Sequence, residues 1–360
     1  MSRNKIFREI EKAILNGVFP GAVLLCAVGQ EIILHESYGM ADIFEKRKMT
    51  KDSIFDLASL TKPLATTLAL SMLIQKKKIF QDQKIGTILK EFKDSEKANI
   101  TIDMLLRHTS GLPAHREYFK QIVNESKAPI EALRRLLVKE PLEHNLGECQ
   151  VYSDLGFMIL SWIIEKSSGQ RLDRYVANKI YAPLEIDTLF FMETGNKNEK
   201  LNTYREKIVA TQCCPWRKKV LVGEVDDDNA WAVGGIDGHA GLFGDAYSIY
   251  GLCSEILKAL QHKPTKVLAP EIIRNFVKKK QSFDRVAGFD TPSKEKSSSG
   301  RYLSKTSIGH LGFTGTSFWI DPEASLIIIF LTNRVHPFRS NIKLKQFRPR
   351  IHDLLYTELI

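Results

Sequence analysis

Gly21-Ala22-Val23-Leu24-Leu25-Cys26-Ala27-Val28, then Gly29-Gln30, then Glu31-Ile32-Ile33-Leu34-His35-Glu36-Ser37: two runs rich in valine, leucine and isoleucine flank a pair suited to a tight turn, the pattern of a β-hairpin. Its mirror image closes the chain, where Phe313 to Ile320 and Ser325 to Thr332 flank the turn Asp321-Pro322-Glu323-Ala324. Ahead of the first hairpin, Ile6, Ile10, Ala13 and Ile14 recur at helical spacing and predict an amphipathic helix ending near Gly17. Behind the second, Ser340 to Leu359 reads as a final helix.

Between these ends the pattern is helical, at Leu64 to Gln75, Ile102 to Arg107, Pro129 to Val138, Leu155 to Ser167 and Leu172 to Ile180, with few strand signals. The expected fold is therefore α+β: one antiparallel β-sheet built by both termini and flanked by the N- and C-terminal helices, with a mostly helical second domain beside it. The division predicted is residues 1–72 and 230–360 for the sheet domain and 73–229 for the helical insert. The lysine- and serine-rich stretch Ser293 to Ser299 reads as an exposed loop.

Composition narrows the function. The 360 residues are 43% apolar and 26% charged, a globular mix that excludes a disordered or fibrous chain. The net charge of +10 is spread over separate basic runs, Lys76 to Lys78, Arg217 to Lys219, Lys278 to Lys280 and Lys343 to Arg350. None interleaves with aromatic residues as a stacking groove would, so no nucleic-acid partner is expected. Five cysteines without a CxxC pair read as buried or incidental thiols. The apolar run Val18 to Val28 is broken by Pro20 and Gly21 and preceded by Glu9 and Glu11, unlike a secretory leader. Leu326 to Leu331 is too short for a membrane span. A cytoplasmic location is expected, or a periplasmic one if a leader has been trimmed. The histidines show no HxxxH spacing, so neither a metal nor another cofactor is expected. Nothing in the sequence fixes the oligomeric state.

Three short segments could carry chemistry. In Ser59-Leu60-Thr61-Lys62, a helix starting at the serine would put hydroxyl and amine on one face, close enough for the amine to take the serine's proton. Pro63 suits such a start, since first-turn N–H groups lack partners anyway. The Ser-x-x-Lys pattern also occurs at Ser2, Ser293 and Ser340, but only Ser59 stands between a strand region and a strongly apolar helix. A helix cap followed by an exposed lysine is the alternative. In Tyr152-Ser153-Asp154, the phenol could be a second proton carrier if an ammonium lowers its pKa from about 10, or Ser153 or Asp154 simply caps the following helix. In His310-Leu311-Gly312-Phe313-Thr314-Gly315, glycine permits close approach to the backbone and an unpaired N–H could hold an oxyanion. A plain turn into a strand explains those glycines equally.

Together these segments resemble the serine β-lactamase and penicillin-binding protein superfamily, in its class C β-lactamase, D-alanyl-D-alanine peptidase and esterase branch. Phe19 to Val23, Phe55 to Pro63, Leu105 to Pro113, Tyr152 to Gly156, Gly234-Gly235 through Phe243, and Gly309 to Thr316 follow that branch's signatures in order along nearly the whole chain. The resemblance implies an active site in the cleft between sheet and helical domain, with Ser59 the acylated nucleophile, Lys62 its proton partner and Tyr152 the general base. The backbone N–H groups of Ser59 and Phe313 would form the oxyanion hole. Asp154, His310 and Gly312 would meet the substrate, and Trp231 and His239 are candidates to line the cleft.

Two departures bear on specificity. The family's Lys-Thr-Gly stands here as His310-Leu311-Gly312, replacing the cation and hydroxyl that grip a β-lactam carboxylate. An imidazole with a pKa near 6.5 would hold an anion less as the pH rises. The family's Tyr-x-Asn stands as Tyr152-Ser153-Asp154, exchanging an amide for an acceptor-only carboxylate. The expected function is a serine hydrolase working through an acyl-enzyme on esters or small amides. Its partner is a small-molecule or peptide acyl substrate. A D-alanyl-D-alanine carboxypeptidase or penicillin-binding protein is the alternative enzyme, and a catalytically slow ligand-binding or scaffold relative is the alternative of another class.

Overall fold

The computed structural model describes residues 2–125, 128–195, 199–280 and 283–360. Its centre is a six-stranded antiparallel sheet in the order β3 (Arg47–Lys48), β2 (Glu31–Asp42), β1 (Gly21–Val28), β11 (Leu326–Thr332), β10 (Ser317–Asp321), β9 (Ile308–Leu311). The two termini thus meet in mid-sheet, where Ala22 pairs with Thr332 and Val28 with Leu326. Gly29 and Gln30 both take positive φ, 57° and 75°, the twist a two-residue hairpin turn requires.

Side chains alternate across the central strands. Val23, Leu25, Ala27, Ile327, Ile329 and Leu331 enter the main core, which also holds Leu252 and Ile256 of helix Ala246–Leu260. Ala22, Leu24, Cys26, Ile328 and Phe330 face a second core, closed by Ile6 and Ile10 of helix Ser2–Leu15 and by Phe347 and Ile351 of helix Leu344–Leu359. β11 is buried on both faces, which is why it reads as an unbroken apolar run.

A small sheet β4 (Phe55–Asp56), β8 (Leu242–Gly244), β5 (Leu189–Phe191) and a ribbon of β6 (Cys213–Cys214) and β7 (Lys219–Val220) complete the strands. At two or three residues each they are too short for a periodic signal. The helices Pro129–Lys139 and Asp154–Ser168 form where the sequence predicts them.

Three local expectations need correction. Residues 313–316 are not strand but a turn: the Gly312 amide donates to the Thr316 carbonyl at 2.8 Å, and β10 begins only at Ser317. The last helix begins only at Leu344; ahead of it the Asn341 amide nitrogen donates to the Gly17 and Val18 carbonyls at 3.1 Å each, and its oxygen accepts from the Lys343 amide at 3.2 Å. The chain at Ser59 does not enter an α-helix directly. It makes a 3₁₀ turn, Ala58–Leu60, then a π-helical turn, Lys62–Thr67, before helix Leu68–Gln75.

Candidate active site

Ser59 is positioned from beneath by Asp56 at the end of β4. One carboxylate oxygen accepts from the Ala58 amide at 2.8 Å and the other from the Asp226 amide at 2.6 Å. Held so, Ala58 has φ +48°, a left-handed conformation costly for a residue with a Cβ. The following serine is presented at the pocket wall. Burial first, then the nearby Asp226, pushes the Asp56 pKa up to about 7.

Lys62 is wholly buried, and its three ammonium protons have three acceptors: Asp154 Oδ1 at 2.7 Å, Ser59 Oγ at 3.1 Å and the His239 carbonyl at 3.1 Å. Burial alone would lower its pKa, but the charge of Asp154 and then Tyr152 outweighs that and holds it above the ordinary lysine value. The lysine is therefore a fixed cation, not a free base. Asp154 is the matching anion: burial would raise its pKa, yet Lys62 and a hydrogen bond from His115 hold it far below the carboxylate range. His115 Nδ1 lies 3.2 Å from Asp154 Oδ2, and that bond raises the imidazole's own pKa.

Tyr152 has its ring 4.9 Å from the Lys62 ammonium. Burial raises the phenol's pKa above 10 on balance, although Lys62 and a hydrogen bond with Ser59 pull against it. The ring rests on His108 with centroids 4.6 Å apart. His108 is kept neutral by burial and its Nδ1 accepts from the Ser153 amide at 3.0 Å. Ser153 does cap the next helix, its Oγ accepting from the Gly156 amide at 3.3 Å. Capping and presentation of Tyr152 are thus compatible.

Ser59, Tyr152, Asp154, His310, Gly312 and Phe313 all line one cavity of about 600 Å³. The Gly312–Thr316 turn is tied back to β4, with Thr314 and Thr316 donating to the Asp56 and Leu57 carbonyls at 2.7 and 3.1 Å. A Cβ on Gly312 would sit 2.0 Å from Thr316 Oγ1 and 2.6 Å from the Leu57 carbonyl oxygen. No acceptor elsewhere in the described residues takes the Ser59 or Phe313 amide. His310 is buried, with Nδ1 donating to the Leu311 carbonyl at 2.9 Å, and burial pulls its pKa down to about 4. This corrects the expected pH switch: the imidazole is already neutral at pH 6.

Two candidates lie elsewhere. The His239 side chain is 1% exposed and off the cavity wall; Nε2 is 2.9 Å from Asp227 Oδ1 and Nδ1 3.5 Å from Asp237 Oδ2. Only its carbonyl reaches the site, through Lys62. Trp231 stands edge-on to Trp216 at 5.2 Å beneath the Arg217 guanidinium and donates to Glu224 at 3.2 Å. Conversely, His115, Asp227, Arg285, Arg334 and Arg348 line the cavity without having been read from the sequence. They come from loops and helix faces far apart in the chain, and no short motif announces them.

A family model described as Beta-lactamase matches residues 5–350. The chain is 31% identical to an N-acetylmuramyl-L-alanine amidase of Bacillus subtilis, over 92% of this chain and 81% of that one. It is 29% identical to a putative D-alanyl-D-alanine carboxypeptidase of Escherichia coli K12, over 92% and 82%. Among solved structures, EstCE1, described as a hydrolase with promiscuous acyltransferase activity, superposes with a TM-score of 0.77 at 20% identity, covering 98% of both chains. An octameric penicillin-binding protein homologue from Pyrococcus abyssi gives 0.75 at 17% identity, covering 99% of this chain and 77% of that one. At those identities the structures establish a shared fold.

Proposed function

The chain belongs to the Beta-lactamase family, and from that premise we propose that it is a serine hydrolase that forms an acyl-enzyme on Ser59 and passes the acyl group to water. The observation that carries this reading is the 3.1 Å contact between Ser59 Oγ and the buried Lys62 ammonium at the cavity wall. A lysine that donates to the serine cannot also accept its proton. The serine proton therefore goes to Tyr152, whose phenolate the fixed cation stabilises.

In the proposed reaction Ser59 Oγ bonds to the carbonyl carbon as its proton moves to the Tyr152 oxygen. The Ser59 and Phe313 amides receive the oxyanion. Collapse expels the leaving group, which takes the proton from Tyr152, and water repeats the sequence on the ester. A scaffold has no need for a strained Ala58 or for a charged lysine buried beside a serine, and this favours the enzyme.

For the substrate, the named activities of the two relatives both concern amide bonds to alanine, and this supports small alanyl amides beside esters. A neutral His310 and apolar Leu311 at the positions that match the family's Lys-Thr-Gly motif argue against β-lactam turnover. The test is a panel of short p-nitrophenyl esters, alanyl amides and a chromogenic cephalosporin at pH 8. Esters and alanyl amides should exceed the cephalosporin, and His310→Lys with Leu311→Thr should narrow the gap. Cephalosporin turnover above esterase activity in the unmodified protein would refute this assignment of specificity.

A further inference from the structure

The strap Gly238-His239-Ala240-Gly241-Leu242 runs beside the turn that carries Ser59 and Lys62 and is bonded to it along its length. The Thr66 hydroxyl donates to the Gly238 carbonyl at 2.6 Å and the Lys62 ammonium to the His239 carbonyl at 3.1 Å. The Leu242 amide donates to Thr61 Oγ1 at 3.1 Å, and the Leu242 carbonyl accepts from the Leu57 amide at 2.9 Å. On the strap's other side, a Cβ at Gly238 would lie 2.1 Å from the Phe157 carbonyl oxygen of helix Asp154–Ser168. The strap is thus wedged between the serine turn and the helix that Asp154 begins.

Within this strap each ring nitrogen of the buried His239 faces a carboxylate, Nε2 that of Asp227 at 2.9 Å and Nδ1 that of Asp237 at 3.5 Å. Both carboxylates are themselves fixed. Asp227 Oδ1 accepts from the Ala230 amide at 2.8 Å as the cap of helix Asp228–Ala232, and Asp237 Oδ1 accepts from the Gly238 amide at 2.6 Å. A neutral imidazole has one N–H and could serve only one of the two acids. Burial opposes its charge, but Asp227 and then Asp237 hold its pKa up at about 10, and that charge in turn helps to keep Asp154 ionised. A buried ion triad is a costly way to fill a core position. The imidazole lies off the cavity wall, yet the backbone of the same residue holds Lys62.

We propose that His239, clamped between Asp227 and Asp237, is a positioning residue of the hydrolase: it fixes the carbonyl that takes one Lys62 proton, so that the other two point at Ser59 and Asp154. The inference rests on the proposed roles of Ser59 and Lys62. A buried ammonium must keep an acceptor for each proton, and three acceptors fixed on three different elements leave Lys62 a single orientation. With the strap loosened, the ammonium swings toward the charge of Asp154 and away from Ser59, and Tyr152 loses the cation that steadies its phenolate. A displacement of about 1 Å in such a group can slow a reaction roughly 10²-fold.

The test measures the rate of fluorophosphonate labelling and its final stoichiometry separately, on the full chain. Two variants are compared with wild type: His239→Gln, and His239→Gln with Asp237→Asn, which removes one charge of each sign and keeps the net charge of the cluster. Both should still take one adduct per chain but label roughly 10- to 100-fold more slowly, with KM for a neutral ester unchanged. In the Lys62→Ala protein the paired substitutions should change the rate by less than about two-fold, because the clamp acts through the lysine. A wild-type labelling rate in either variant, with or without a loss of stoichiometry, would overturn the proposal. So would the full loss repeated in the Lys62→Ala protein, or failure of both variants to fold. Wild-type protein that takes no label would instead overturn the Ser59 assignment and this inference with it, so the two failures are distinguishable.

Discussion

Asp154 shares one carboxylate between the Lys62 ammonium and His115, and its charge works against Tyr152 becoming a phenolate. Because the reactive form of Tyr152 is deprotonated and its pKa lies above 10, kcat/KM should climb through pH 9 without a plateau. Asp154→Asn removes a charge that raises the phenol's pKa, so the climb should begin at lower pH, the protons of Lys62 and Tyr152 moving together. A plateau below pH 8 in the wild type, or an upward shift in the variant, would contradict this. For the same reason Lys62→Ala and Tyr152→Phe should each cost roughly 10²- to 10⁴-fold, with the double variant little worse than the poorer single. Multiplicative losses would show two independent groups. Ser59 with Lys62, and Tyr152 separately, could be singled out as candidates because each stands in a motif of a few residues ahead of an apolar helix. His115 gains meaning only from what the fold brings beside it.

The turn between β9 and β10 shows how tertiary bonding overrides local propensity. Phe313, Thr314 and Thr316 are strand-prone residues, and the sequence reads as strand through them. Their threonine hydroxyls instead donate to the carbonyls of Asp56 in β4 and of Leu57 just after it, and Gly312 lets the backbone pass within contact of Leu57. Gly312→Ala should push this turn off the Ser59 turn and lower kcat by roughly 10²- to 10³-fold through the displaced Phe313 amide. Steady-state kinetics on a neutral ester would read this, and a variant within a few-fold of wild type would mean the turn does not set the oxyanion site. The hairpin of β1 and β2 lies where two apolar runs and a two-residue turn place it, though its register shifts between Cys26 and Ala27 and β2 runs on past Ser37 to Asp42.

At the scale of the molecule, both chain ends complete one sheet, and the cavity lies where β4, the β9–β10 turn and the start of helix Asp154–Ser168 converge. That convergence was legible as an order of motifs, whereas the short strands and the ion pairs around it were not. His239 bears on stability there. Burial would lower its pKa, but Asp227 and then Asp237 raise it to about 10. Its folded value therefore exceeds the unfolded one near 6.5, so its stabilisation is complete below pH 6.5 and lost as the pH rises to about 10. The Tm gap between wild type and His239→Gln should be widest below pH 6.5 and shrink by pH 10; a gap constant with pH would contradict the charged assignment. The central claim is that Ser59 carries the acyl group. Intact-mass measurement after treatment with a fluorophosphonate, on wild type and on Ser59→Ala, tests it most directly. The account predicts one adduct on the wild type, mapped to the peptide containing Ser59, and none on the variant. Equal labelling of the two proteins would contradict it.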